Sequence, residues 1–334
     1  MKNIQVVLAR RPNGTPVAED FSIRETPVTQ PDNGQALIEN IYISLDAGFR
    51  NWMDEDAGDE VLPAMPLGQP VMGLTVGRVI TSKHPGLPVG QLVMGRLAWE
   101  SFSLASDDFL VPLDDNDAIP EHYHLGILGD TGMSAYFGLK DIAAPGPADT
   151  VLVSAAAGSV GYVAGQIARI MGAKRIVGIT STEAKRQRLI KEVGYDEVVN
   201  YRQGNLDEQL KSACPAGVDV YFDNVGGPIL ETVLGQINQG ARIPFCGAVA
   251  DYSRTAPSGP SNLFMLVTQC ARLEGFLTHT KLARYDEARQ QLKAWMGEGA
   301  LKTFVQAYQG VDQCGIAFAD LFAGNNFGKT IVKV

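Results

Sequence analysis

The sequence predicts an α/β protein in two parts, a β-rich part and a doubly wound, mostly parallel sheet. Three observations carry this. From Thr150 onward, short apolar runs alternate with helical stretches, the rhythm of strand–helix–strand units. Before about residue 120, candidate strands are separated by Gly and Pro rather than by helices. Between the strand-like Val151–Val153 and a helical pattern from Tyr162 to Met171 lies a run of small residues, Ser154 to Gly161. A length of 334 residues agrees with about two domains.

Taken in order, Ala36–Leu45, Gly73–Ile80 and Leu92–Gly95 read as strands. Leu125–Leu139 is helix-compatible. The parallel sheet is expected from Val151–Ser154, Arg175–Thr180, Glu197–Asn200, Val218–Asp223, Ala241–Phe245 and Leu273–Phe276. Its helices are expected at 159–171, 183–193, 206–213, 228–238 and 262–271, with another at Arg284–Glu298. Ala256–Ser261 reads as a mobile loop, and the chain ends in strand-like sequence after Gly328.

The turn Ala155-Ala156-Ala157-Gly158-Ser159-Val160-Gly161 is an Ala-for-Gly form of the dinucleotide fingerprint, with Ala156, Gly158 and Gly161 at its three small positions. Backbone N–H groups of such a turn, with the following helix N-terminus, attract a pyrophosphate. The same turn could simply pack a helix tightly on a strand. The end of the next strand discriminates between nucleotides: a carboxylate there would accept from a ribose 2′-OH and repel a 2′-phosphate. Here it carries Thr180, Ser181 and Thr182, followed by Lys185 and Arg186, which favours NADP(H). Glu183 stays open as an acidic alternative, and Lys185 as an ordinary solvated residue.

Composition narrows the class. A formal charge of −9 argues against a nucleic-acid surface, and no apolar run is long enough to span a membrane. The N-terminus has no apolar leader, so a cytoplasmic location is expected. The four cysteines, Cys214, Cys246, Cys270 and Cys314, form no CxxC pair; His122 and His124 read as a surface segment. No metal site is expected.

Several segments together resemble the zinc-free branch of the medium-chain dehydrogenase/reductase superfamily. The most similar group is that of the prostaglandin reductases, leukotriene dehydrogenases, plant double-bond reductases and curcumin-reductase-like enzymes. The resemblance covers nearly the whole chain. It is carried by Leu45-Asp46 with Phe49-Arg50, Gly132–Leu139, Ala155–Gly161, Asn200-Tyr201, Tyr221–Gly227, Cys246–Ala248, Glu274–Phe276 and Asn326–Lys329. It implies a Rossmann domain at 123–296 and a β-rich GroES-like catalytic domain made of 1–122 and 297–334. It implies contacts to the pyrophosphate by Gly158, Ser159, Val160, Gly161 and Tyr162, and places Thr180, Ser181 and Lys185 at the 2′-phosphate. Tyr201 falls near the adenosine, and Asn224, Cys246, Gly247 and Ala248 beside the cofactor. Phe276, Leu277 and Thr278 fall on the nicotinamide, and Asn326 closes over it. Read without the family, Tyr201 and Phe276 are equally packing aromatics, Asn224 a turn former and Cys246 a small buried hydrophobe.

Two departures stand out. Gly48 replaces the tyrosine of many relatives, which predicts a roomier pocket. Leu67-Gly68-Gln69-Pro70 stands where zinc enzymes carry Gly-His-Glu. The resemblance implies NADPH-dependent reduction of the C=C bond of an α,β-unsaturated ketone or aldehyde, with hydride delivered to the β-carbon. Tyr252 is the expected catalytic donor to the carbonyl oxygen, and Gly48, Phe49, Trp52, Tyr252 and Phe264 the expected lining for a hydrophobic enone or enal. Quinone reduction and NADP-linked alcohol oxidation are the alternatives on the same scaffold. A non-catalytic NADP(H) sensor is the alternative of another class. A homodimer is expected from the family habit.

Overall fold

In the computed structural model, residues 1–58, 62–106, 110–114, 119–253 and 259–334 are described. The loop expected at Ala256–Ser261 therefore lies partly outside the described residues. The chain forms two compact units. One contains Met1–Gly126, Val305–Asn326 and Thr330–Val334; the other contains Ile127–Phe304 and Phe327–Lys329.

In the first unit, β1 (Lys2–Leu8) and β2 (Phe21–Pro27) form an antiparallel pair. The larger sheet uses β3 (Ala36–Ser44), β4 (Met72–Ser82), β5 (Leu92–Ala98), β6 (Phe102–Ala105) and β7 (Leu110–Pro112). The strands that complete it come from the end of the chain. The order is β14-β15-β3-β4-β5-β7, with β6 also on β3; β14 is Val305–Gln309 and β15 is Lys329–Lys333. Buried aromatics anchor its core. Phe21, Trp99 and Phe318 meet with centroids 5.4 to 5.9 Å apart, in tilted and edge-on arrangements worth a further fraction of a kcal/mol beyond burial, ~1 at most per pair.

In the second unit, β8 (Thr150–Val153), β9 (Arg175–Thr180), β10 (Glu197–Asn200), β11 (Val218–Phe222), β12 (Ile237–Phe245) and β13 (Arg272–Gly275) form one parallel sheet in the order β10-β9-β8-β11-β12-β13. β8 is buried at all four positions, as a strand covered on both faces must be. The order reverses between β8 and β11, so a crevice opens at their carboxyl ends. The crossover helices are α2 (Gly161–Ile170), α3 (Glu183–Arg188), α4 (Leu206–Ala213) and α5 (Gly227–Leu234), with α6 (Phe264–Thr268) before β13. α1 (Asp130–Phe137) precedes the sheet, and α7 (Tyr285–Gly297) follows it. α8 (Cys314–Ala323) belongs to the first unit.

Three boundaries differ from expectation for local reasons. The helix expected from Leu125 begins only at Asp130, because Gly126 leaves the helical region at φ −127° and ψ −106°. The helix expected to reach 238 stops at Leu234, since Ile237 already pairs with Val218 in the sheet. The helix expected over 262–271 shrinks to Phe264–Thr268 and ends before Cys270, which takes φ +47°.

A packing detail fixes α2 to the sheet. Gly165 faces the ring of Tyr195, where a β-carbon would sit 2.3 Å from Cζ, and the Tyr195 hydroxyl donates to the Gly161 carbonyl at 2.7 Å. Gly165→Ala is expected to displace this buried ring and cost about 1–3 kcal/mol. The measurement is thermal unfolding by circular dichroism, in which an unchanged midpoint would contradict the packing account.

Candidate functional site

The sequence from Ser154 to Gly161 makes a turn tight enough to demand small residues. Gly158 N–H donates to the Ala155 carbonyl at 2.8 Å, and Ala155 itself takes φ +45°. A β-carbon on Gly161 would lie 2.3 Å from that carbonyl oxygen, inside contact distance, so α2 can begin this close to β8 only with glycine. No side chain caps α2, so its N-terminus is open to an anion, while Tyr162 N–H bonds the Gly158 carbonyl at 3.2 Å. The cradle therefore suits a pyrophosphate on geometry, independently of its sequence pattern.

Beyond β9, the side chains sort themselves. Thr182 caps α3, accepting from Lys185 N–H at 3.3 Å. The Glu183 carboxylate turns back to Arg186 and Gln187, at 3.3 and 3.2 Å. Arg186 reaches Glu197 at 2.7 Å and the Val198 carbonyl at 2.7 Å. Of the three charged residues here, Lys185 alone has no carboxylate partner among the described residues. Partial burial, and the nearby Arg202 charge, lower its pKa to about 8. A lysine in this state gains from a dianion. Tyr201 is exposed, with its N–H on the Thr180 carbonyl at 3.1 Å.

At the switch point, Ser154, Asp223 and Asn224 interlock. Asn224 N–H donates to Ser154 Oγ and its side-chain amide to the Ser154 carbonyl, both at 2.8 Å. The Asp223 carboxyl, which the sequence did not single out, is fully buried. Its Oδ1 accepts from Ser154 Oγ, Tyr221 Oη and the N–H groups of Val225 and Gly226 at 2.7 to 3.0 Å. Burial lifts its pKa above the usual carboxylate value while these donors pull it down. Its carbonyl also accepts from Cys246 and Gly247, at 2.8 and 3.2 Å. The only hint in the sequence was position: a polar residue ending an apolar strand.

The loop after β12 folds over this turn. Val249 and Ala250 N–H groups bond the carbonyls of Asn224 and Val225, at 3.3 and 3.1 Å. Tyr252 curls back so that its hydroxyl accepts from Ala248 N–H at 3.2 Å. The hydroxyl has no acceptor for its own proton among the described residues. Burial raises its pKa, so the phenol stays protonated near neutrality. Gly247 lies under this closure, where a β-carbon would press on Tyr252 Oη at 3.0 Å. The Cys246 thiol is pushed up to about 12 by burial and behaves as a neutral side chain.

Other expected residues fall elsewhere. Phe276 packs where Gly138 has no side chain, while Leu277 is exposed and Thr278 follows it into a short helical turn. Phe264 points outward from α6, 72% exposed, because its neighbours Met265 and Leu266 are the ones packed against the core. Gly48, Phe49 and Trp52 belong to the first unit. Phe49 is buried in that unit's core with its ring 5.8 Å from Trp52, while Gly48 faces open space. Asn326 is buried in the first unit. Among the described residues, no group of three or more His, Cys, Asp and Glu side chains is placed to hold a metal.

Comparison with known proteins agrees with this geometry. Residues 4–113 match the N-terminal domain of oxidoreductase family, and residues 159–294 the zinc-binding dehydrogenase family. The chain is 35% identical to the NADPH-dependent curcumin reductase of Escherichia coli (strain K12), over 100% of this chain and 97% of that protein. It is 33% identical to the NADP(+)-dependent 2-alkenal reductase of Nicotiana tabacum, over 100% and 98%. The crystal structure of CurA in complex with NADPH from Vibrio vulnificus superposes with a TM-score of 0.92 at 33% identity, covering 99% of each chain. The tight glycine turn, the lysine without a carboxylate partner and these full-length relatives lead to one assignment: the chain belongs to the zinc-free group of the medium-chain dehydrogenase/reductase superfamily.

Proposed function

We propose that this protein reduces the C=C bond of α,β-unsaturated ketones and aldehydes with NADPH. The observation that carries the reading is the Tyr252 hydroxyl, protonated, partly buried and without an acceptor for its proton among the described residues, beside a glycine turn and a strand-end lysine that has no carboxylate partner among them. Relatives named for curcumin and 2-alkenal reduction support the substrate class. The turn at Gly158, Ser159, Val160, Gly161 and Tyr162 binds the pyrophosphate, and Lys185 with Thr180, Ser181 and Tyr201 the 2′-phosphate end. Asn224, Cys246–Ala248 and Phe276–Thr278 serve the nicotinamide half.

NADPH supplies the hydride. The negative charge that hydride addition to the β-carbon would create falls on the carbonyl oxygen of the conjugated system. Tyr252 donates a hydrogen bond to that oxygen, while Ala248 N–H holds the phenol oxygen in place. Aimed donors of this kind act where charge develops and need no reorganisation. A proton then reaches the α-carbon from Tyr252 or water. We place the enzyme in the cytoplasm, a reducing compartment that suits four free cysteines. We also propose a homodimer. β13 ends its sheet with one side unpaired among the described residues, and the exposed apolar side chains of Leu263, Phe264 and Val267 lie on the helix and turn leading to it.

Three outcomes test this reading. Tyr252→Phe should lower kcat on an enone by about 10²-fold, the loss typical of one oxyanion donor, with NADPH affinity nearly unchanged in a fluorescence titration. An unaltered kcat removes Tyr252 from the mechanism. Binding of the 2′-phosphate should raise the Lys185 pKa from its free value of about 8. NADPH affinity is therefore full below pH 8 and falls above it, by up to about tenfold per pH unit, until the bound-state pKa is reached. NADH affinity should stay flat, and parallel titrations from pH 7 to 10 decide the point. Phe264→Asp should shift the mass measured by light scattering from dimer to monomer; a wild-type monomer refutes the dimer outright.

A further inference from the structure

We infer that the segment Phe327-Gly328-Lys329 is a positioning element for the phosphate-binding turn, and that Gly328 is the residue on which it depends. The inference rests on the reading that this turn holds the cofactor's pyrophosphate. Gly328 forms a parallel bridge with Gly158, and its N–H donates to the Ala157 carbonyl at 2.9 Å. That carbonyl shares one rigid peptide plane with Gly158 N–H, which donates to the Ala155 carbonyl at 2.8 Å. The plane is thus held at both ends, and the direction in which the chain enters Ser159 and Val160 is set by it.

The segment is itself fastened. Lys329 N–H donates to the Phe304 carbonyl at 2.8 Å. The Phe327 ring stands edge-on to Phe304 with centroids 5.5 Å apart, and Phe304 stands edge-on to Tyr162, in the first turn of α2, at 5.5 Å. The Arg188 guanidinium caps Phe327, 3.7 Å from its centroid, and is held in turn by Glu192 at 3.0 Å. Only glycine fits at the centre of this arrangement. Gly328 takes φ +75°, and a β-carbon there would lie 2.2 Å from the Phe304 carbonyl oxygen. A larger residue must pull the segment away from Ala157 and release the peptide plane. A turn ordered before binding loses less entropy when the phosphates arrive, so the brace contributes affinity without touching the ligand.

The test compares two ligands on the full chain. NADPH engages the turn; adenosine 2′-monophosphate has no 5′-phosphate and does not. In Gly328→Ala the NADPH Kd should rise about tenfold while the Kd of adenosine 2′-monophosphate stays within about twofold. Equal weakening of both ligands, or no change in either, overturns the inference. Gly161→Ala, which disturbs the turn directly, separates the two layers. If it weakens NADPH and Gly328→Ala does not, only the brace falls. If Gly161→Ala leaves NADPH binding intact, the pyrophosphate reading falls and the inference with it. Should Gly328→Ala fail to fold, Phe327→Leu combined with Arg188→Gln loosens the same segment. A loss of NADPH affinity of about threefold, again without effect on adenosine 2′-monophosphate, is expected. Unchanged NADPH affinity in that double variant overturns the proposal.

Discussion

Asp223 accepts four hydrogen bonds on one carboxylate oxygen while wholly removed from solvent, and through its main-chain carbonyl it accepts two more. The donors come from the end of β8, from the turn after β11 and from the loop after β12. Three separate strands are thereby tied at the level where the sheet order reverses. A buried carboxylate is costly unless its oxygens are satisfied; here Oδ1 gathers the donors while Oδ2 finds none among the described residues, and losing one donor of such a group costs about 1–3 kcal/mol. The geometry of Asn224 and of the Cys246–Tyr252 loop follows from this knot, since both are hung from residues that Asp223 fixes.

The two halves of the site use opposite electrostatics. Beyond β9, neighbouring acids are drawn into helix-surface and sheet-edge pairs: Glu183 to Arg186 and Gln187, Glu197 to Arg186. That leaves Lys185 and Arg202 to face one another, so the lysine is destabilised as a cation until an anion arrives. In the loop after β12 the groups are neutral. Burial holds the Tyr252 phenol and the Cys246 thiol in their protonated forms. A hydrogen-bond donor that cannot ionise near neutrality is the right partner for an oxygen that becomes an anion during the reaction.

Tyr252 illustrates how backbone and side chain cooperate. Its hydroxyl reaches back four residues to Ala248 N–H, so the loop is closed by the residue that would act on the substrate. Gly247 lies under this closure. Loop order and hydroxyl placement are thus one property.

The sequence by itself determined the alternation of strand and helix, the phosphate turn and the hydroxyl-and-lysine end of the second strand, because each depends on residues adjacent in the chain. The ends of helices were less legible: Gly126 and Cys270 stop them through backbone angles that no apolar pattern records. Only the tertiary structure decided that Phe264 faces outward while Met265 packs inward, and that Phe49 lies in a core. It alone paired Gly328 with Gly158 and brought Ser154, Cys246 and Gly247 to Asp223, contacts between residues far apart in sequence. Local periodicity is written in neighbours. The satisfaction of a buried charge and the close approach of two backbones depend on partners that only folding brings together.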